Sequence, residues 1–219
     1  TVAGLSHSIK NMASGLEGSL FLLRQGLDTD HRDYLEQGWE MLEANVRKLK
    51  NLSLDMLRFA RVEELHPQPT DPALPARQVV ELFQAGARER GIELRLEATE
   101  GLPLVALDPE AVHRCLMDLV GNALDACTAA GFSGDVPGGL VLLHVGEAPG
   151  CITYRVVDNG CGIPESTLPR LFSAFFSTKG EKGSGLGLMA VRKTVQAHGG
   201  TIDVNSIQGT GSEFIISIP

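Results

Sequence analysis

No helix can run through His66-Pro67-Gln68-Pro69-Thr70-Asp71-Pro72, because three prolines in six residues remove backbone donors and clash with the preceding turn. Pro75 follows closely. This stretch divides the chain, and the periodicity differs on its two sides. Ahead of it, apolar residues recur at Leu5, Ile9, Met12, Leu16, Leu20, Leu23 and Leu27, at spacings of four or three. That pattern predicts a helix over 2–26 with a narrow apolar seam. Gly26 then reads as the C′ residue, and the acidic turn GLDTDHRD suits the next helix N-terminus. Leu35, Trp39, Leu42, Val46, Leu49, Met56 and Ala60 predict a second helix over about 31–63, its seam interrupted at Ser53. A lone hairpin cannot bury both stripes, whereas two hairpins paired into a four-helix bundle can, so a homodimer is expected. The expected division is a helical hairpin over 1–66, a linker over 67–75 and a second domain over 76–219.

Beyond the prolines the pattern is mixed. A helix over about 75–90 stops at Gly91, and IELRLEA reads as a strand. A short strand near 104–107 leads to Asp108-Pro109, N-cap and N1 of a helix reaching about Ala130. Strands near 139–147 and 151–158 follow, then a helix from about Leu186 to Gly199-Gly200, then TIDVNS and SEFIISI. Helices and strands without strict alternation predict an α/β two-layer sandwich. An apolar content of 43% suffices for a core of that kind. The net charge of −8 argues against a nucleic-acid surface, and no apolar run is long enough for membrane contact as a span. Cys115, Cys127, Cys151 and Cys161 lack metal-ligand spacing and fit reduced thiols of the cytoplasm. With no initiator Met and a helical pattern from the start, the chain is expected to be a fragment.

The chemistry concentrates in residues 154–189. A strand-like run, Tyr154–Val157, enters Asp158-Asn159-Gly160-Cys161-Gly162. About twenty residues later Gly183-Ser184-Gly185-Leu186-Gly187-Leu188 opens a helix. A carboxylate at a strand end, flanked by glycines, can accept from an exocyclic amine while a flat ring approaches bare backbone. Free amides at a helix N-terminus favour phosphate. Together they read as a nucleotide site, although a lone DNGCGI is more often a turn between strand and helix. No GxxxxGK[ST] occurs, so this is not a P-loop.

A third element lies upstream, Asp118-Leu119-Val120-Gly121-Asn122-Ala123-Leu124-Asp125-Ala126. The three boxes in this order resemble the ATP-binding domain shared by histidine kinases, gyrase and MutL ATPases, the Bergerat or GHKL fold, over about 70–219. The resemblance implies that Asn122 holds Mg²⁺ through its amide oxygen, that the metal bridges the phosphates of ATP, and that Asp158 contacts adenine. It places Gly160 and Gly162 beside the ring, Asp125 on the nucleotide side, and Gly183, Gly185, Leu186, Gly187 and Leu188 toward the phosphates. Pro164–Lys182 would form a lid, with Lys179 and Lys182 as its cations and Phe172, Phe175 and Phe176 resembling an aromatic box. Gly209–Phe214 resembles the closing glycine box, with Ser212 where Thr is usual. Asp118 stands where the kinases commonly carry Asn and the ATPase relatives a carboxylate base. It would hydrogen-bond a metal-bound group or assist a water or phosphoacceptor.

On the first helix, Leu5-Ser6-His7-Ser8-Ile9-Lys10-Asn11 resembles the phosphoacceptor box of sensor histidine kinases. His7 would accept the phosphoryl group, and Asn11, at i+4 on the same face, would position water for dephosphorylating a partner. Two positions depart from the family: Ser8 replaces the usual acidic residue, and Met12 replaces a proline. The first departure implies slower autophosphorylation, since general-base help is worth about 10²–10⁴-fold. The second implies a straighter helix. The function expected from the resemblance is a sensor-kinase core in the cytoplasm, the cytosolic part of a larger sensor. It would phosphorylate His7 from Mg-ATP and pass the phosphoryl group to an aspartate of a response regulator receiver domain. Two other readings remain open: an ATPase that hydrolyses ATP to water through Asp118, and a nucleotide-binding dimeric scaffold.

Overall fold

A computed structural model describes residues 2–60, 64–178 and 185–219. The chain divides into two compact units, Thr1–Val62 with Phe172–Gly187, and Glu63–Leu171 with Leu188–Pro219.

The first unit contains the helices α1 (Val2–Thr29) and α2 (Arg32–Ala60). Asp30, at φ 51°, turns the chain between them, a conformation Asp tolerates better than most side chains. The helices are antiparallel, since Gly15 lies against Asn45, Gly38 against Leu23 and Gly26 against Leu35. Gly26 is therefore inside α1 rather than its C′ residue. A Cβ there would stand 2.8 Å from Leu35 Cγ, so the glycine serves helix approach and not chain reversal. The inner seam sets glycines against Leu23, Leu35 and Asn45, with Ser19 beside them. Buried Ser19 donates to the Leu16 carbonyl at 2.7 Å and buried Asn45 to the Met41 carbonyl at 2.9 Å, so neither needs a partner from the other helix. Leu20, Phe21, Leu27, Trp39, Val46 and Leu49 remain exposed on the hairpin.

The second unit opens with β1 (Gln68–Thr70), α3 (Ala73–Glu89), β2 (Ile92–Ala98), β3 (Val105–Leu107) and α4 (Pro109–Ala129). It continues with β4 (Gly139–Ala148), β5 (Cys151–Asp158), a short 3₁₀ helix (Glu165–Arg170), and, after α5 (Gly187–Ala197), β6 (Thr201–Ile207) and β7 (Gly211–Ile218). Five strands form one sheet in the order β2-β4-β5-β7-β6, parallel only between β2 and β4. Burial alternates along β4 and β5, as a half-buried strand requires. Val141, Leu143, Tyr154, Val156 and Ile216 meet Val79 of α3 and Leu116, Leu119 and Val120 of α4 in the core. Each large apolar side chain buried there contributes about 1.5–3 kcal/mol. The helical hairpin and the two-layer α/β sandwich agree with the sequence reading.

The prolines do end the helical region, yet the stretch after them is built into the second unit. Gln68–Thr70 pairs antiparallel with Val105–Leu107. Buried Tyr154 donates from its hydroxyl to the Pro72 carbonyl at 3.0 Å, and the His66 amide donates to the Asp108 carboxylate at 3.0 Å. Proline suits such an edge strand because its missing donor faces away from the ladder.

Candidate nucleotide site

Asp158 closes β5, and strand alternation decides which face carries it. Tyr154 and Val156 are buried on that face, and Asp158 is 6% exposed. A buried carboxylate requires donors. It accepts from the Gly160 amide at 2.8 Å and from the amide of Ser212, its register partner on β7. Burial pushes the Asp158 carboxyl above the usual carboxylate range, and these two amides work against that rise.

The loop after Asp158 and the β6–β7 turn form one hydrogen-bonded block. The Gly209 amide donates to the Cys161 carbonyl at 2.8 Å, and the Ile163 amide to Ser206 Oγ at 2.8 Å. Ser206 spends its single proton on the Gly211 carbonyl, so Ser212 is the donor in the 3.0 Å contact between the two hydroxyls. Ser212 is thus engaged with the turn that backs Asp158. Glycine is required here by the chain's own packing. A Cβ on Gly160 would meet the Ala126 carbonyl carbon at 2.5 Å, and one on Gly162 (φ 64°) the Ile207 oxygen at 2.1 Å. Asn159, given no role from sequence, fastens the block to β4. It accepts from the Leu140 amide at 2.7 Å and donates to the Gly138 carbonyl at 2.9 Å. Both partners lie about twenty residues away in sequence, so no local pattern announces them.

The second wall is α4. Asp108 caps it, accepting from the Ala111 amide at 2.9 Å, and Pro109 occupies the first turn, as expected. Asp118, Asn122 and Asp125 share one stripe at i, i+4 and i+7. Between α3 and α4 they line a cavity of about 330 Å³ together with Phe83 and Arg90. Arg90 Nη1 donates to Asp125 Oδ1 at 3.3 Å. At the helix's C-terminal end Ala126 accepts the Cys161 amide at 3.1 Å, which ties α4 to the Asp158 loop. The Cys127 thiol beside it is pushed up to about 11, first by burial and then by the charge of Asp158, which leaves it a protonated, inert filler at neutral pH.

Among the described residues no group of three or more His, Cys, Asp or Glu converges as a metal site. A cation at Asn122 must then complete its shell from water and ligand oxygens, which is how Mg²⁺ is usually held. The donor set fits that ion.

The other expected residues belong to the first unit, apart from Leu188, or fall outside the description. Gly185 has φ 68°, and a Cβ there would lie 2.5 Å from the Phe175 carbonyl carbon. Leu186 is buried, Gly187 opens α5, and Leu188 is half-buried in its first turn. Lys179, Lys182 and Gly183 lie outside the described residues. His7 is part of α1, but its side chain, like that of Ser8, also lies outside them. Asn11 is exposed one turn further along α1.

Residues 107–219 match the family model described as histidine kinase-, DNA gyrase B-, and HSP90-like ATPase. The chain is 28% identical over 217 residues to the sensor histidine kinase ZraS of Escherichia coli K12, covering 99% of this chain and 44% of that protein. It is 32% identical over 225 residues to the two-component sensor PprA of Pseudomonas aeruginosa, covering 100% of this chain and 24% of that protein. The chain therefore spans less than half the length of both relatives. Among solved structures, full-length ShkA in complex with AMPPNP aligns with a TM-score of 0.71 at 29% identity, covering 99% of this chain and 45% of that one. The histidine kinase ThkA, in complex with the response regulator TrrA, shares the fold at a TM-score of 0.78 and 24% identity, covering 100% of this chain and 60% of that one.

Proposed function

The chain belongs to the histidine kinase-, DNA gyrase B-, and HSP90-like ATPase family, and from that premise we propose that it is the catalytic core of a sensor histidine kinase. The second unit would bind Mg-ATP, with residues 67–75 part of it rather than a free linker, and the hairpin would carry the acceptor His7. The observation that carries this reading is the Asp158 carboxylate, buried at a strand end within the family-matched segment and held by the backbone amides of Gly160 and Ser212. An ionised acceptor in that position selects a ligand with an exocyclic amine, as adenine has.

Asn122 would hold Mg²⁺, with Asp118 one turn earlier orienting water around it and Asp125 on the same stripe. The metal, when bound, supplies charge neutralisation along the phosphates. Gly185, Leu186, Gly187 and Leu188 stand at the start of α5, where helix amides favour anions. Lys179 and Gly183 complete the phosphate side by family pattern alone. The neutral form of the His7 imidazole would attack the terminal phosphorus, releasing ADP. Asn11, exposed on the same helix, would orient water for dephosphorylating a response regulator. ZraS is a sensor histidine kinase and PprA a two-component sensor, which supports a receiver-domain aspartate as the next acceptor; a cytoplasmic setting is proposed on the family resemblance alone. No described helix is long and apolar enough to cross a membrane.

A second reading, hydrolysis of ATP to water, draws on Asp118, a carboxylate lining the same cavity as Asn122. Incubation with γ-labelled ATP separates the two. Acid-labile, base-stable label on the protein, lost in His7→Gln, is the expected result. Free phosphate with no protein label would favour the hydrolase, and nucleotide binding with neither product would leave only a scaffold.

A further inference from the structure

We propose that Arg90 is a phosphate-contacting cation of the nucleotide site, held by Asp125 until the triphosphate enters. The proposal rests on the nucleotide reading above and adds to it a residue outside the glycine and asparagine boxes. Arg90 is the C-cap of α3: its amide donates to the Ala87 carbonyl at 3.0 Å, and the next amide, of Gly91, donates to the Arg88 carbonyl at 3.0 Å. Its side chain leaves that anchor half-exposed and reaches across to α4.

Helix α4 acts as a ruler for what Arg90 can meet. Ala126 and Cys127 abut Gly160 and Cys161, so the base end of the site lies at the helix's C-terminal end. Asn122 stands one turn earlier, about 6 Å along the axis at 1.5 Å per residue. Any nucleotide with its base at Asp158 and its metal at Asn122 lays its phosphates beside the stripe of Asp118, Asn122 and Asp125. Two of those three residues are carboxylates, which repel a polyphosphate. Among the described residues that line this cavity, Arg90 is the cation.

Its present bond to Asp125 is easily surrendered. A pair at 3.3 Å with both side chains about half-exposed is screened by water and contributes little. A phosphate offers the guanidinium two oxygens in a matching plane and a higher charge than one carboxylate. Exchanging one anion for the other needs only rotation of the arginine side chain, because its backbone is already set.

The test is titration of the full chain with Mg-ATP by calorimetry and with adenosine by NMR shifts. Arg90→Ala should weaken ATP about tenfold or more, the usual scale for a charge-assisted hydrogen bond, and leave adenosine unchanged. Arg90→Lys should recover part of the loss, keeping charge without the fork. Equal losses for ATP and adenosine would make Arg90 a structural partner of Asp125 and overturn the assignment. Unchanged ATP affinity in Arg90→Ala would overturn it too, while the nucleotide reading stood. Failure of the parent chain to bind either ligand would instead sink that reading, and this proposal with it.

Discussion

At Asp158 two demands on one carboxyl pull in opposite directions. Burial favours its neutral form, so its folded value lies above that of the unfolded chain. Its share of stability is then fully present below the unfolded value and lost as pH rises through the raised folded one. Recognition of an exocyclic amine needs the charged form, which accepts but cannot donate. Nucleotide affinity should therefore fall on acidification at a higher pH than an ordinary aspartate would give, while this residue's contribution to stability grows. Calorimetric titrations across the acid range check the midpoint. Asp158→Asn should abolish binding at every pH and leave the hairpin's association unchanged. Retained affinity in that variant would remove Asp158 from the site.

At the scale of elements, Asp108 joins more segments than its capping role suggests. Its carboxylate accepts from Ala111 in α4 and from His66 ahead of β1, and its own amide donates to Nε2 of His198, just past α5. The His198 ring uses Nδ1 against the Thr194 carbonyl at 2.9 Å, which fixes the proton on that nitrogen. Burial alone would raise the Asp108 carboxyl, but the His66, Ala111 and Glu110 amides and the charge of Arg114 hold it below the usual range. Its stabilisation is present above the unfolded value and lost as pH falls through the lowered folded one. Asp108→Ala should cost about 1–2 kcal/mol, the scale of a lost N-cap, read from chemical denaturation at neutral pH. Asp108→Asn keeps an acceptor for Ala111, so it should cost less and flatten the acid limb of the stability profile.

For the whole molecule, the hairpin is the element whose exposed apolar face predicts association. Its helices close on each other through Gly15, Ser19, Gly26, Gly38 and Asn45, and that leaves Phe21, Trp39 and Val46 outward at 65%, 60% and 52% exposure. A second copy would bury apolar area of that kind and so give the four-helix bundle expected of such a hairpin. Trp39 is the single tryptophan, so its emission should shift to the red on dilution as the dimer parts. A Trp39→Asp, Val46→Asp double variant should sediment as a monomer with the second unit still folded. A wild-type chain that sediments as a monomer at micromolar concentration would refute the bundle.

Local chemistry in the sequence determined a good deal at each of these scales. Proline spacing ended the helical region, heptad-like spacing set both long helices, Asp108-Pro109 started α4, and three short boxes pointed to a candidate nucleotide site. All of these act within a few residues, where backbone sterics and side-chain period leave few options. Other features depended on segments that meet only after folding. Gly26 was read as a helix end because a glycine's local signature is the same whether it reverses the chain or admits a neighbouring helix. Gln68–Thr70 was read as connecting chain because its pairing partner is more than thirty residues away. Asn159, Ser206 and Arg90 gave no local signal, since each takes its meaning from a carbonyl, hydroxyl or carboxylate brought in by another element. Sequence could name the groups that would face a nucleotide, but which polar atoms the protein satisfies within itself was decided by tertiary packing, because burial forces each of them to find a partner.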